Sequence, residues 1–187
     1  MKLVKYFFEY ILIIFLFVLF KLIGYRMASE LGFFLGKTFG PFFRSKDLIK
    51  DNLAKFDSTL APEKFNHIYE EMWGNYGRIL SEYPYISNFR NGDLDKYIKI
   101  ENIEILEKIK KGPPVVFVSA HFSNFELMAM AIEKAGINLS AIYRPLNNKL
   151  VNSIMEPIRK KYICKNQIKK GINGVRESLK FFKQGTS

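Results

Sequence analysis

Tyr10–Phe20 is an unbroken apolar run, continued on both sides through Glu9 and Lys21 by further apolar residues. About 20 such residues are needed to cross a bilayer, and residues 6 to 25 just reach that length. Tyr6, Tyr10 and Tyr25 fall where interfacial aromatics are expected. A cleavable signal peptide is the rival reading, but the run is bulky and no small-x-small site follows before Arg26. Residues 1–25 therefore read as an uncleaved membrane anchor. It is single-pass or, given Glu9 and Lys21, a monotopic helix lying on the membrane surface. Lys21, Arg26 and Lys37 outnumber Lys2 and Lys5, which puts the body of the chain in the cytoplasm.

Residues 26–92 read as a membrane-apposed helical region. Leu31–Phe43 is a second apolar patch whose three glycines and one proline argue against a second span. Asp47–Phe56 has the spacing of a short amphipathic helix. Pro62 and Glu63 open a longer helix running to about Tyr83, with Glu82 near its end facing a groove or, as the plainer expectation, water. Beyond residue 92 strands and helices alternate. Strands are expected at Tyr97–Ile100, Val115–Ala120, Ile137–Tyr143 and around Ile168, and helices at Ile103–Lys110, Leu127–Ala135, Val151–Lys161 and Val175–Phe182. The fold class is α/β, a largely parallel sheet flanked by helices.

The chemistry gathers at Val115–Glu126. A β-branched apolar run ends in His121, and a helix-start signal follows, with Ser123 as N-cap and Glu126 as its capping-box partner. His121 thus stands at the carboxyl end of a strand, the edge where open α/β sheets bind ligands. Helical side chains lean toward their own N-terminus, so a first-turn carboxylate can reach back to the imidazole. Glu126 would hold one tautomer, leaving the other ring nitrogen to take a proton from a hydroxyl. The bland alternative, Glu126 merely closing the capping box, stands beside this one.

Net charge is +11, with 11 Lys/Arg against 2 Asp/Glu from Arg144 onward. A basic C-terminal third calls for an anionic partner: phosphorylated substrate, acidic carrier protein, lipid headgroup or nucleic acid. No nucleic-acid recognition motif accompanies the charge, so nucleic acid is not expected. Cys164 is the lone cysteine and reads as a structural thiol. With His67 in a polar helical stretch, two histidines in all exclude a His-rich zinc site.

Tyr143-Arg144-Pro145-Leu146-Asn147-Asn148 follows the next strand, and Pro145 keeps Arg144 at the strand mouth. Consecutive βα units usually neighbour each other, which brings Arg144 near His121, with Arg159 on the following helix. The planar guanidinium suits phosphate. A surface ion pair is the competing role.

The N-terminal anchor, His121-Phe122-Ser123-Asn124-Phe125-Glu126, Tyr143–Asn148 and Arg159 together resemble the bacterial lipid A biosynthesis (lauroyl/myristoyl-type) acyltransferases, across essentially the whole chain. The resemblance implies a glycerolipid-acyltransferase-like fold on the cytoplasmic face of the inner membrane, residues 93–187 forming the first part of the acyltransferase domain. It implies transfer of a fatty acyl group from acyl carrier protein to a hydroxyl of a Kdo-lipid A precursor. His121 would be the base and Glu126 its orienter. Arg144 and Arg159 would bind acceptor phosphates, with Asn124 and Asn147 beside them in the substrate site. No cofactor or metal is implied beyond the acyl carrier thioester as co-substrate; the partners are that carrier, the lipid A precursor and membrane lipids. The ending at Phe182–Ser187 falls where a helix should hand over to another strand, so the chain reads as C-terminally incomplete. Two alternatives follow: an inactive membrane-bound fragment, or an acyltransferase for glycerophospholipid or lysophospholipid acceptors.

Overall fold

The computed structural model describes residues 2–187. The chain divides into two compact units: Leu16–Tyr85, and residues up to Phe15 together with Ile86–Ser187. Helix α1, Lys2–Ile23, runs from the second into the first, and Gly24 ends it at φ 84.

The helical unit continues with α2 (Tyr25–Phe39), a 3-10 turn (Gly40–Phe43), α3 (Lys46–Ala54) and α4 (Pro62–Glu82), closing with a 3-10 turn at Tyr83–Tyr85. The face α2 turns to α4 is made of small residues, including Ala28, Ser29, Gly32 and Gly36. A Cβ at Gly77 would collide with the Gly32 carbonyl oxygen, and one at Gly36 with the Trp73 carbonyl. Glycine in a helix costs about 1 kcal/mol relative to alanine. Here that loss secures backbone-to-backbone approach, the packing mode of small-xxx-small helix pairs. Ion pairs Lys37–Glu70 (2.7 Å) and Arg78–Glu30 (2.9 Å) flank the contact. The Gly32-x3-Gly36-x3-Gly40 spacing was visible in the sequence, where the glycines register only as helix-breaking. Ile49, Phe65 and Tyr69, with Leu53, Leu60, Met72 and Trp73 packed against them, form the core between α3 and α4. Glu82, expected to face water, is buried and accepts hydrogen bonds from Ser29 Oγ (2.8 Å) and Tyr25 Oη (3.4 Å).

The second unit holds α5 (Ile86–Asn91), a 3-10 turn (Asp95–Tyr97), α6 (Glu104–Lys110), α7 (Glu126–Lys134), β1 (Ser140–Tyr143), α8 (Lys149–Ile158), a π-turn (Arg159–Ile163), β2 (Asn166–Lys169) and α9 (Ile172–Lys183). β1 and β2 pair in parallel with Ser140 opposite Asn166 and Tyr143 opposite Lys169. The fold is thus mostly helical with a small parallel sheet, consistent with the α/β class but with far less sheet than expected.

Two of the expected strands do not form. Tyr97 ends a 3-10 turn, and Ile98–Ile100 is irregular. Val115–Ala120 is also irregular, with Val116 77% and Val118 90% exposed. A strand needs a neighbour, and this run lacks one among the described residues. The start of β1 is engaged instead by Ser187, whose carbonyl accepts from Ser140 N (2.7 Å) and whose N–H donates to Asn138 O (2.8 Å). Val115 N reaches only Ser187 Oγ, at 3.2 Å. An open apolar cavity of about 350 Å³ is lined by Val115, Val116 and Phe117 together with Met128, Ile132 and Ile142.

Candidate active site

Every candidate site residue lies in the sheet-bearing unit, and α7 organises them. The turn before α7 differs from the expected capping box. Its N-cap is Phe125 (φ −59), while Ser123 sits two residues earlier in the left-handed region at φ 46. That conformation is uncommon for a residue with a Cβ and re-aims the chain sharply between His121 and the helix. Phe125 N accepts its place by donating to Ser123 O at 3.1 Å, and Leu127 N donates to Asn124 O at 3.1 Å.

His121 is exposed, its ring edge-on to Phe125 with centroids 4.3 Å apart. Glu126 is buried, and it reaches Arg159 rather than His121. Arg159 Nε and Nη2 both donate to Glu126 Oε1, at 2.8 and 2.6 Å, with the two side chains only 14% and 10% exposed. The guanidinium also lies over the Tyr143 ring, 5.8 Å from its centroid. Arg159 gets there because the chain loosens after Pro157. Proline donates no backbone hydrogen bond, and the helix widens two residues later into the π-turn, closed by Cys164 N to Arg159 O at 3.0 Å.

Tyr143, at the end of β1, has its hydroxyl buried beside the Glu156 carboxylate. Burial, reinforced by the nearby Glu156 carboxylate, pushes that phenol up to about 12. Lys160 (2.8 Å) holds Glu156 below the usual carboxylate range. Arg144 and Asn147 are exposed on the loop after β1, and Asn124 is half-buried at the α7 start. Asn148 caps α8, its Oδ1 accepting from Leu150 N (3.0 Å) and Val151 N (3.3 Å).

The structure therefore joins Glu126, Arg159 and Tyr143 into one cluster, with His121 and Asn124 on the turn leading into it. Arg159, expected to face acceptor phosphate, is committed to Glu126. Tyr143 and Pro157 escaped the sequence reading as site features. Tyr143 entered only as the start of the Tyr143–Asn148 segment, and the Pro157-x-Arg159 spacing was the one signal for Pro157. Cys164 is buried, with its thiol pushed up to about 11 by burial, as befits a structural residue. Among the described residues no group of three or more His, Cys, Asp or Glu side chains is placed to hold a metal ion.

The chain thus combines a helix, α1, long and apolar enough to cross a membrane with a buried Glu126–Arg159 ion pair at the start of α7. The family model described as bacterial lipid A biosynthesis acyltransferase matches residues 1–187, the whole chain, and the protein belongs to that family. Comparisons with curated proteins and with solved structures return no match.

Proposed function

We propose that the chain carries the proton-transfer site of an acyltransferase that moves a fatty acyl group, of the lauroyl or myristoyl type, from acyl carrier protein to a hydroxyl of a Kdo-lipid A precursor at the inner membrane. The observation that supports this most directly is the family match over the whole chain with His121 and Glu126 at the start of α7.

His121, exposed and hydrogen-bonded to nothing among the described residues, is open to a docking alcohol. Its ring takes the hydroxyl proton as the oxygen attacks the thioester carbonyl. The tetrahedral intermediate collapses with cleavage of the C–S bond, and the imidazolium returns its proton to the departing carrier thiolate. The product is an ester and a free thiol. Backbone N–H groups around Asn124, at the positive end of α7, offer donors to the oxyanion. Glu126, the first residue of α7, is held by Arg159 and fixes the start of the helix that follows the His121 turn. Arg144, with Asn147 on the same exposed loop, meets the acceptor's phosphate, and the basic C-terminal third meets the acidic carrier. No cofactor enters the reaction as written.

The test is acyl transfer with carrier thioester and lipid A precursor, lysophospholipid serving as the competing acceptor. His121→Ala is expected to lower kcat/KM by about 100-fold or more, in the range of lost general-base catalysis. Unchanged transfer by that variant removes His121 as the base, and acylation of lysophospholipid alone removes the acceptor assignment.

A further inference from the structure

Within the helical unit, α2 turns its small residues toward α4, where Ala28, Ser29, Gly32 and Gly36 make the contact. Two of its charges go the same way, Glu30 pairing with Arg78 and Lys37 with Glu70. Met27, Leu31 and Phe34 stand four and then three residues apart, on the face turned away from α4. Met27 is 63% and Phe34 62% exposed. The patch continues into the 3-10 turn, where Phe42 is 84% and Phe43 80% exposed. That turn is firmly seated. A Cβ at Gly40 would collide with the Trp73 ring, and Pro41 fixes the backbone beside it. A packed scaffold therefore holds two phenyl rings outward, leaving their apolar surface uncovered.

The end of α1 sets the level at which this patch sits. α1 is long and apolar enough to cross a membrane, and its last turns, from Leu16 to Ile23, belong to this same unit. Val18 and Leu22 are exposed there. Lys21 donates to the Pro84 carbonyl at 3.2 Å and lies 4.4 Å from the centroid of the Tyr85 ring. A cation with a tyrosine is the pairing that marks a membrane boundary. Gly24 alone separates α1 from α2, so Tyr25 lies within about 7 Å of Ile23. α2 thus begins where α1 leaves the hydrocarbon. It is not a second span itself, since its 15 residues include Arg26, Glu30 and Lys37.

We propose that Met27–Phe43 is a bilayer-contact element. α2 lies at the interface, with Met27, Leu31, Phe34 and the Phe42–Phe43 turn inserted among the acyl chains of a phospholipid leaflet. An aromatic and aliphatic stripe opposite a charged, packed face is what a lipid interface selects. Arg44 follows Phe43 directly and Lys46 stands two residues further on, both exposed. These cations reach the headgroup phosphates while the rings sit below them. The proposal concerns how this unit meets the membrane and does not rest on the reaction proposed above.

Four variants of the full chain test it: Met27→Cys, Phe34→Cys, Phe42→Cys and Phe43→Cys. Each carries a nitroxide on the new cysteine, while the buried Cys164 stays unlabelled. Every substitution falls on an exposed side chain, so the packing on α4 is retained. In nanodiscs of phosphatidylethanolamine and phosphatidylglycerol, power saturation against oxygen and a nickel chelate gives the depth of each label. All four are expected about 5–10 Å below the phosphates. Their oxygen-to-nickel ratio should be severalfold that of the same label in the urea-unfolded chain. Labels at Phe42 and Phe43 that stay in water overturn the proposal. So does a depth of about 15 Å, the middle of the hydrocarbon, which makes α2 part of a span. Shielding from both reagents, the mark of a second copy covering the patch, overturns it as well.

Discussion

Glu126 and Arg159 are an ion pair with little solvent around it, and this sets how their variants behave. Removing one member of a buried pair leaves the other charge unmatched, at about 3–5 kcal/mol. Glu126→Ala and Arg159→Ala should each lower urea-unfolding stability by a few kcal/mol, somewhat less than that range since both side chains retain partial exposure. The double variant should fall short of the sum, because each single change already incurs the cost of the orphaned partner. Cys164 gives a pH prediction. A thiol raised from its ordinary 9 to about 11 holds the thiolate back in the folded chain, so the form that reacts is depleted below pH 11. Burial also shuts the reagent out, so at pH 8 alkylation should be about 100-fold or more slower in the folded protein than in urea. At this scale the sequence singled out His121 and Glu126 but not the ion pair that Glu126 makes. Sequence spacing puts Glu126 within reach of His121, yet a carboxylate takes the strongest donor available. Arg159, 33 residues on, offers two N–H groups at once.

The helices α2 and α4 approach through glycine, so bulk at their contact is the sensitive change. Gly77→Val is expected to cost several kcal/mol and a Tm drop of many degrees, since the added carbons meet the Gly32 backbone, which cannot swing aside. Gly24→Ala, with open space around its Cβ, should cost only the strain of its φ of 84. Thermal melts of the two variants make the comparison. Helix positions were largely legible from periodicity: Pro62–Glu82, Glu104–Lys110 and Ile172–Lys183 fall within a few residues of expectation. The strands were not. Val115–Ala120 has strand composition, but a strand exists only where another backbone pairs with it, and composition carries no record of the neighbour.

For the whole molecule, the contrast between paired and unpaired backbone is measurable. Amide exchange should be fast at Val116 and Val118 and slow at Ile168, which is buried in the β1–β2 pair. Comparable protection at the two places would mean that Val115–Ala120 is paired in solution. Sequence alone determined the apolar N-terminal helix, the membrane association, the helical segments and the family, because hydrophobic periodicity and local motifs are properties of neighbours along the chain. Tertiary structure alone decided that Glu82 is buried against Ser29, that Ser187 engages the start of β1, and that Arg159 takes Glu126. Each of these depends on residues far apart in sequence meeting at hydrogen-bond distance, and no local pattern encodes that meeting.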